Sequence, residues 1–163
     1  MKRHSDISDT CQQALCVLLE KLRVNNCLII GSDDATLFNS CPYNTDITLN
    51  SRTDYAADVL PGAGRYDFVL LLNLLESQPK KNAEHLIANL RDLHGGCFAI
   101  VYQPALVDAW QSTDLLALGL YQLPLPEQAE QVFVFDIHSY KQTPDWLNSQ
   151  YWAHPELFDK YRW

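Results

Sequence analysis

The apolar and polar positions divide the chain into helical and extended stretches. Cys11, Leu15, Leu18, Leu19 and Leu22 recur at helical spacing, which gives one apolar stripe with a polar face opposite. Thr10 followed by Gln13 has the form of a capping box, so a first helix is predicted from there to about Arg23. Asn25 and Asn26 break it. Cys27-Leu28-Ile29-Ile30 is then an unbroken apolar run closed by Gly31. Such a run reads as a strand covered on both faces, as in a parallel sheet. A short helix over 35–38 follows, with Ser32, Asp33 or Asp34 as its N-cap, and then a short strand over 46–50. Residues 52–61 have room for one helical turn, and Pro61-Gly62-Ala63-Gly64 is a loop.

The second half is more regular. Tyr66 to Leu72 is the strongest buried strand in the chain. Ser77 and Pro79 open a helix in which Ala83, Leu86, Ile87, Leu90 and Leu93 share a face, and Gly95-Gly96 ends it. Cys97 to Tyr102 is a strand stopped before Pro104, and Ser112 or Thr113 caps a short helix running to Leu118. Two strands close the pattern, 120–125 and 132–137. Proline cannot donate to a ladder, so Pro124 and Pro126 put the first of them on an edge. Val132-Phe133-Val134-Phe135 is continuously apolar and belongs inside the sheet. The short connection makes the pair a hairpin. Beyond it the character changes: Tyr140, Trp146, Tyr151, Trp152, Phe158, Tyr161 and Trp163 crowd the last residues. That density of large rings needs a surface to pack on.

Composition narrows the partners. A net charge of -8 over 163 residues repels a phosphate backbone and an anionic membrane surface, so neither nucleic acid nor membrane is expected as a partner. No apolar run is long enough to span a bilayer. The stretch from Ala14 to Leu22 is interrupted by Glu20 and Lys21, so it makes no signal-peptide core, and the cytoplasm is the expected compartment. The five cysteines, an odd number without a CxxC pair, are expected to be reduced and mostly buried. His4, His85, His94, His138 and His154 fall in no metal-ligating spacing, and no metal is expected. There is no nucleophile-elbow motif.

The succession strand, helix, strand, strand, helix, strand, helix and terminal hairpin resembles the class I S-adenosylmethionine-dependent methyltransferase fold over about residues 10–138. In that family the last strand runs antiparallel and inserts beside its predecessor, which is left on the edge, as the prolines here require. Ala57-Asp58-Val59-Leu60-Pro61 with Tyr66-Asp67-Phe68-Val69-Leu70 looks like the family's acid-before-strand region, and Leu118-Gly119-Leu120 like its lead-in to the hairpin. The resemblance implies an α/β fold with a mostly parallel, doubly wound sheet and a C-terminal antiparallel hairpin. About seven residues separate the 46–50 strand from Asp58, too few for a further helix and strand, so one sheet edge is expected to be truncated. Residues 1–139 would form the domain, and 140–163 a tail packed on it or on a partner subunit.

The cofactor side departs from the family. A GxGxG-like loop with an acid before it is replaced by Ile30-Gly31-Ser32-Asp33-Asp34, with one glycine. The acid that ends the second strand and binds ribose is replaced by Asn50, Ser51 and Arg52. Two aspartates at a helix start oppose a bound phosphate, whereas a cationic sulfonium tolerates them. The resemblance therefore nominates Gly31, Ser32, Asp33, Asp34, Asn50, Asp58 and Asn73 as cofactor-side residues, with no catalytic residue identified. Against this stands a plainer reading, in which Ser32, Asp33 and Asp34 cap a helix, Asn73 satisfies local backbone and Glu76 starts the next helix. The expectation is a methyltransferase-like domain that holds no cofactor and works as a binding or interaction module, with a protein partner or homodimer formed through the aromatic tail. The alternative is an active methyltransferase acting on a small molecule, using S-adenosylmethionine through an atypical loop.

Overall fold

The computed structural model describes residues 7–32, 48–55, 66–94, 96–126, 129–140 and 160. Helix α1 (Asp9–Leu22) precedes strand β1 (Asn26–Ile30), then β2 (Thr48–Arg52) and β3 (Phe68–Leu72). Helices α2 (Leu74–Ser77) and α3 (Lys80–Asn89) follow, the latter running into a π turn at Leu90–His94. Strand β4 (Cys97–Tyr102), a 3-10 turn at Pro104–Leu106, helix α4 (Ser112–Ala117), strands β5 (Tyr121–Gln122) and β6 (Gln131–Asp136) and helix α5 (Ile137–Tyr140) complete the order.

The six strands form one sheet in the order β2-β1-β3-β4-β6-β5. β2, β1, β3 and β4 pair in parallel, and β6 runs antiparallel to both β4 and β5. Side chains alternate across a strand, which sorts the apolar runs onto two faces. Leu28, Ile30, Val69, Leu71, Phe98, Ile100, Phe133 and Phe135 pack with α2, α3 and α4 on one face. Cys27, Ile29, Phe68, Leu70, Ala99, Val101, Val132 and Val134 pack with α1 on the other. The sheet is therefore doubly wound, which is why these strands are apolar without interruption. Asp67, just before β3, ties the two central strands at their starts: its Oδ2 accepts the N–H groups of Asn25 at 3.0 Å and Asn26 at 2.9 Å.

The hairpin follows the prolines. Among the described residues, β6 lies between β4 and β5, and β5 is an edge strand paired only with β6. The Leu123 N–H still donates to the Val132 carbonyl at 2.9 Å, and pairing ends before Pro124. The edge strand is shorter than the 120–125 expected: it spans Tyr121–Gln122 with one further bond from Leu123, and the nitrogen of Pro124, which alternates away from β6, lies on the open side of the edge where a proline is tolerated.

Other expectations need correction. The cap of α1 is Ser8, not Thr10: its side chain accepts from the Cys11 N–H. The carboxylate that completes this cap is Glu130, which receives the Ser8 N–H at 3.1 Å and the Ser8 hydroxyl at 2.6 Å. A capping box takes its acid from the helix itself, and a partner brought in by the fold leaves no local signal. Strand β2 runs on to Arg52, past the Asn50 end of the 46–50 expected, because it pairs with β1 as far as Ile30; the Thr48 N–H donates to Asn25 and Thr48 pairs with Asn26, and residues 46 and 47 lie outside the described residues. Cys11, Cys27 and Cys97 are buried free thiols, each pushed up to about 12 chiefly by burial. Cys16 is disulfide-bonded, contrary to the expectation of thiols throughout.

The 35–38 helix, the 61–64 loop and all of the tail after Tyr140 except Lys160 lie outside the described residues. So does 56–65, where the edge truncation would have to be seen; among the described residues β2 is the edge strand. Among the described residues, no helix is long and apolar enough to cross a membrane.

Candidate functional site

In an open α/β sheet, ligands bind outside the carboxyl ends of the strands, where the strand order reverses. Here the chain steps from β1 outward to β2 and then returns to the other side of β1 as β3. The crevice is therefore the carboxyl end of the β1–β3 pair, where Gly31 and Ser32 leave β1 and Asn73 leaves β3.

Gly31 has φ +94°, a region that L side chains seldom enter. The lack of a side chain is also required by space. A Cβ at Gly31 would lie 2.0 Å from the Leu72 carbonyl oxygen and 2.4 Å from the Tyr55 hydroxyl. That hydroxyl donates to the Leu72 carbonyl at 2.7 Å. Tyr55, three residues beyond β2, thus reaches across the end of β1 to the end of β3 and occupies the clearance that the glycine leaves. Burial raises the Tyr55 pKa above its ordinary value, a hydrogen bond with Ser77 opposes this, and the charge of Glu76 adds to it. The hydroxyl stays protonated and donating throughout the neutral range.

Ser32 is buried at the exit of β1. Asn73 adopts a left-handed conformation, φ 54°, as the N-cap of α2 without a side-chain cap bond, and its carbonyl accepts the Ser77 N–H at 3.1 Å and the Ser77 hydroxyl. Asn50 pairs with Leu28 inside β2, two positions before the strand ends, so the backbone does not bring it to the crevice. Asp33, Asp34 and Asp58 lie outside the described residues. The shifted strand brings forward Asp54, two residues past Arg52, and with it Tyr55. The sequence reasoning missed both, because a β2 ending at Asn50 left them in an unassigned stretch. The signal available was the polar Thr53-Asp54-Tyr55 exit itself.

A second polar cluster sits at the ends of β3 and β4. Glu76 Oε1 accepts the Gln103 N–H at 2.7 Å, joining α2 to the residue after β4. The Tyr102 hydroxyl donates to Gln131 Oε1 at 3.1 Å. Its pKa is raised by burial, opposed by a hydrogen bond with Ser112, with Glu76 adding to the rise. Lys80 bonds Asp114 at 2.7 Å and the Ala109 carbonyl at 3.1 Å, with its ammonium 5.0 Å from the centroid of the buried Trp110 ring. The Lys80 hydrogen bond holds Asp114 below the usual carboxylate range, assisted by the Gln111 N–H. These contacts tie α2 to the exit of β4, and α3 to α4. Among the described residues, no three His, Cys, Asp or Glu side chains converge as metal ligands.

A family model described as "Family of unknown function (DUF6231)" matches residues 9–163. No curated protein matches the sequence. Among solved structures, the methyltransferase domain of bacterial CtHen1-CN is similar with a TM-score of 0.58 at 9% identity, over 80% of this chain and 100% of that one. A chain of the Pnkp1/Rnl/Hen1 RNA repair complex gives 0.52 at 13% identity, over 79% of this chain and 42% of that one. A TehB-like SAM-dependent methyltransferase from Corynebacterium glutamicum gives 0.49 at 14% identity, over 77% and 86%. At such identities the first two likenesses establish the fold alone, a class I methyltransferase-like, Rossmann-like domain.

Proposed function

Because the chain belongs to that family of unknown function, its role has to be drawn from the site, and we propose that it is a methyltransferase-like domain working as a non-catalytic binding or interaction module. One observation carries this reading. The Tyr55 hydroxyl bonds the Leu72 carbonyl over Gly31, so the clearance of the loop glycine, where a cofactor would come against the backbone, is taken by the protein's own side chain. The residues present do not fit an adenosyl cofactor in this arrangement. Glu76, the nearby carboxylate that could serve as a base, is engaged as the acceptor of a backbone N–H.

A second reading, an active methyltransferase using S-adenosylmethionine on a small molecule, is favoured by Asp54. It follows the carboxyl end of β2 by two residues, near where the resembling family places its ribose-binding acid. Displacing one tyrosine would then open the crevice. Titration calorimetry of the full chain with S-adenosylmethionine and with its demethylated product separates the two readings. The first expects no heat of binding for the natural chain and measurable binding for Tyr55→Ala. A dissociation constant in the low micromolar range for the natural chain, about -8 kcal/mol, would overturn it and install the second.

A further inference from the structure

An open groove of about 1040 Å³ lies along α3. Its walls include Thr53 and Tyr55 after β2, Leu118 after α4, and Lys81, His85 and Ala88 of α3. The last three fall at i, i+4 and i+7, so they form one stripe of the helix. Lys81 and His85 are exposed and Ala88 is half-buried, whereas Ala83, Leu86 and Ile87 face the core. A helix stripe that ends on a small residue, beside a leucine and a tyrosine, leaves a recess of a size and polarity that take large amphipathic rings.

The chain leaves the described fold beside this groove. Tyr140, the last residue of α5, packs against Phe135 with ring centroids 5.3 Å apart. Its ring also covers Gly119, where a Cβ would lie 2.5 Å from Tyr140 Cε2. Gly119 has φ +91° and directly follows Leu118, one wall of the groove. The point of departure of residues 141–163 is thus fixed by a ring seated on a glycine. From there the chain carries Trp146, Tyr151, Trp152, Phe158, Tyr161 and Trp163. Extended, those residues reach about 75 Å, against about 15 Å for the length of α3, so reach does not restrict them.

We propose that residues 141–163 are the occupant of this groove, docked in cis across the outer stripe of α3. The segment supplies the rings, the groove supplies the recess, and Tyr140 on Gly119 supplies the anchor that makes the docking intramolecular and hence effective at any protein concentration. This inference does not depend on whether a cofactor binds.

Hydrogen exchange of the full chain tests it. Amides in 141–163 should exchange at least about tenfold more slowly than in a free peptide of the same sequence. Ala88→Arg, which fills the recess with a charged side chain, should return them toward the peptide rate. Lys81→Glu with His85→Glu, both at exposed positions that the core does not need, should do so in part. Exchange in α1 and the far-ultraviolet circular dichroism should be unchanged in both variants, which separates undocking from unfolding. Val17→Arg, on the exposed face of α1, should leave the segment protected. Peptide-like exchange in the natural chain overturns the proposal, as does protection indifferent to both groove variants. Protection that disappears on dilution, together with a dimer by light scattering, also overturns it and assigns the groove to a second copy's tail.

Discussion

The crevice between β1 and β3 and the junction between β3 and β4 both lie at the carboxyl ends of the sheet, yet they are closed by different physics. At the crevice one neutral hydroxyl bonds the Leu72 carbonyl and Ser77, over a glycine that leaves it room. At the junction the groups are ionised and interlocked: Glu76 on the Gln103 N–H, and Lys80 among Asp114, Ala109 and Trp110. A neutral hydrogen bond contributes about 0.5–1.5 kcal/mol net, and one to a charged group about 1.5–3 kcal/mol. The crevice is therefore held by the weak neutral bonds of one side chain, whereas changing the junction means breaking several stronger contacts. Of the two, the crevice is the region able to change its occupant.

The largest effect is expected at Gly31. Alanine there meets the Leu72 carbonyl and the Tyr55 hydroxyl at 2.0 and 2.4 Å and must hold φ +94°. Left-handed strain of about 1–3 kcal/mol adds to an overpacking cost of about 1–3 kcal/mol. Gly31→Ala should therefore lose about 2–6 kcal/mol of stability in urea denaturation. Because the clash is partly with Tyr55, the double variant Gly31→Ala with Tyr55→Ala should recover part of that loss. A Gly31→Ala chain as stable as the natural one would mean that the crevice is already open, and the contrast with the junction would collapse.

Glu76 links the two regions and gives the intermediate effect. Its carboxylate holds the Gln103 N–H and raises the pKa of both Tyr55 and Tyr102. Glu76→Ala should cost about 1–3 kcal/mol, the penalty of leaving a partly buried donor unpaired. Glu76→Gln keeps an acceptor and should cost less. It should also lower both tyrosine pKa values while leaving them above the ordinary value, since burial is the first cause at each. Absorbance titration of the phenolates checks this. A shift at Tyr102 without one at Tyr55 would separate crevice and junction electrostatically.

How much of this the sequence discloses depends on what sets each feature. Strands β1, β3, β4 and β6 are legible because burial on both faces makes their runs wholly apolar. The place of the hairpin is legible because Pro124 lacks a donor. What is not legible is set by partners distant along the chain. Ser8 is capped by Glu130, 122 positions away. The bounds of β2 come from its register on β1, and a two-residue slip was enough to nominate Asn50 and pass over Asp54 and Tyr55. The close approach at Gly31 was legible, since a glycine closing a central strand marks one. What approaches it, a tyrosine of the same chain, was not, because hydroxyl-to-carbonyl contacts carry no spacing rule. At Asn73 the left-handed conformation and the backbone carbonyl that accepts from Ser77 were not legible, because the expected service to local backbone was assigned to the side chain, which makes no cap bond.

The smallest effect is expected at Lys80–Asp114, even though this pair looks the most strongly bonded. Both side chains are about one-third exposed, and water screens such pairs to little net worth. The folded-state pKa of Asp114 lies below its ordinary value because of the Lys80 hydrogen bond and then the Gln111 N–H. A carboxyl with a depressed folded pKa contributes stability that is fully present above its unfolded pKa, about 4, and that is lost as pH falls through the folded value. Asp114→Asn should therefore cost little at pH 7 in moderate salt, and its difference from the natural chain should vanish once the pH has fallen through the depressed folded value. Raising the salt at pH 7 should shrink the difference further, since exposed pairs are screened within a Debye length of about 10 Å at 0.1 M. Urea denaturation of both chains across pH and salt measures this. A difference that persists in high salt and at low pH would mean that Asp114 acts as a shape-fitting brace under Trp110 and Lys80, and the junction would then owe its strength to packing rather than to charge.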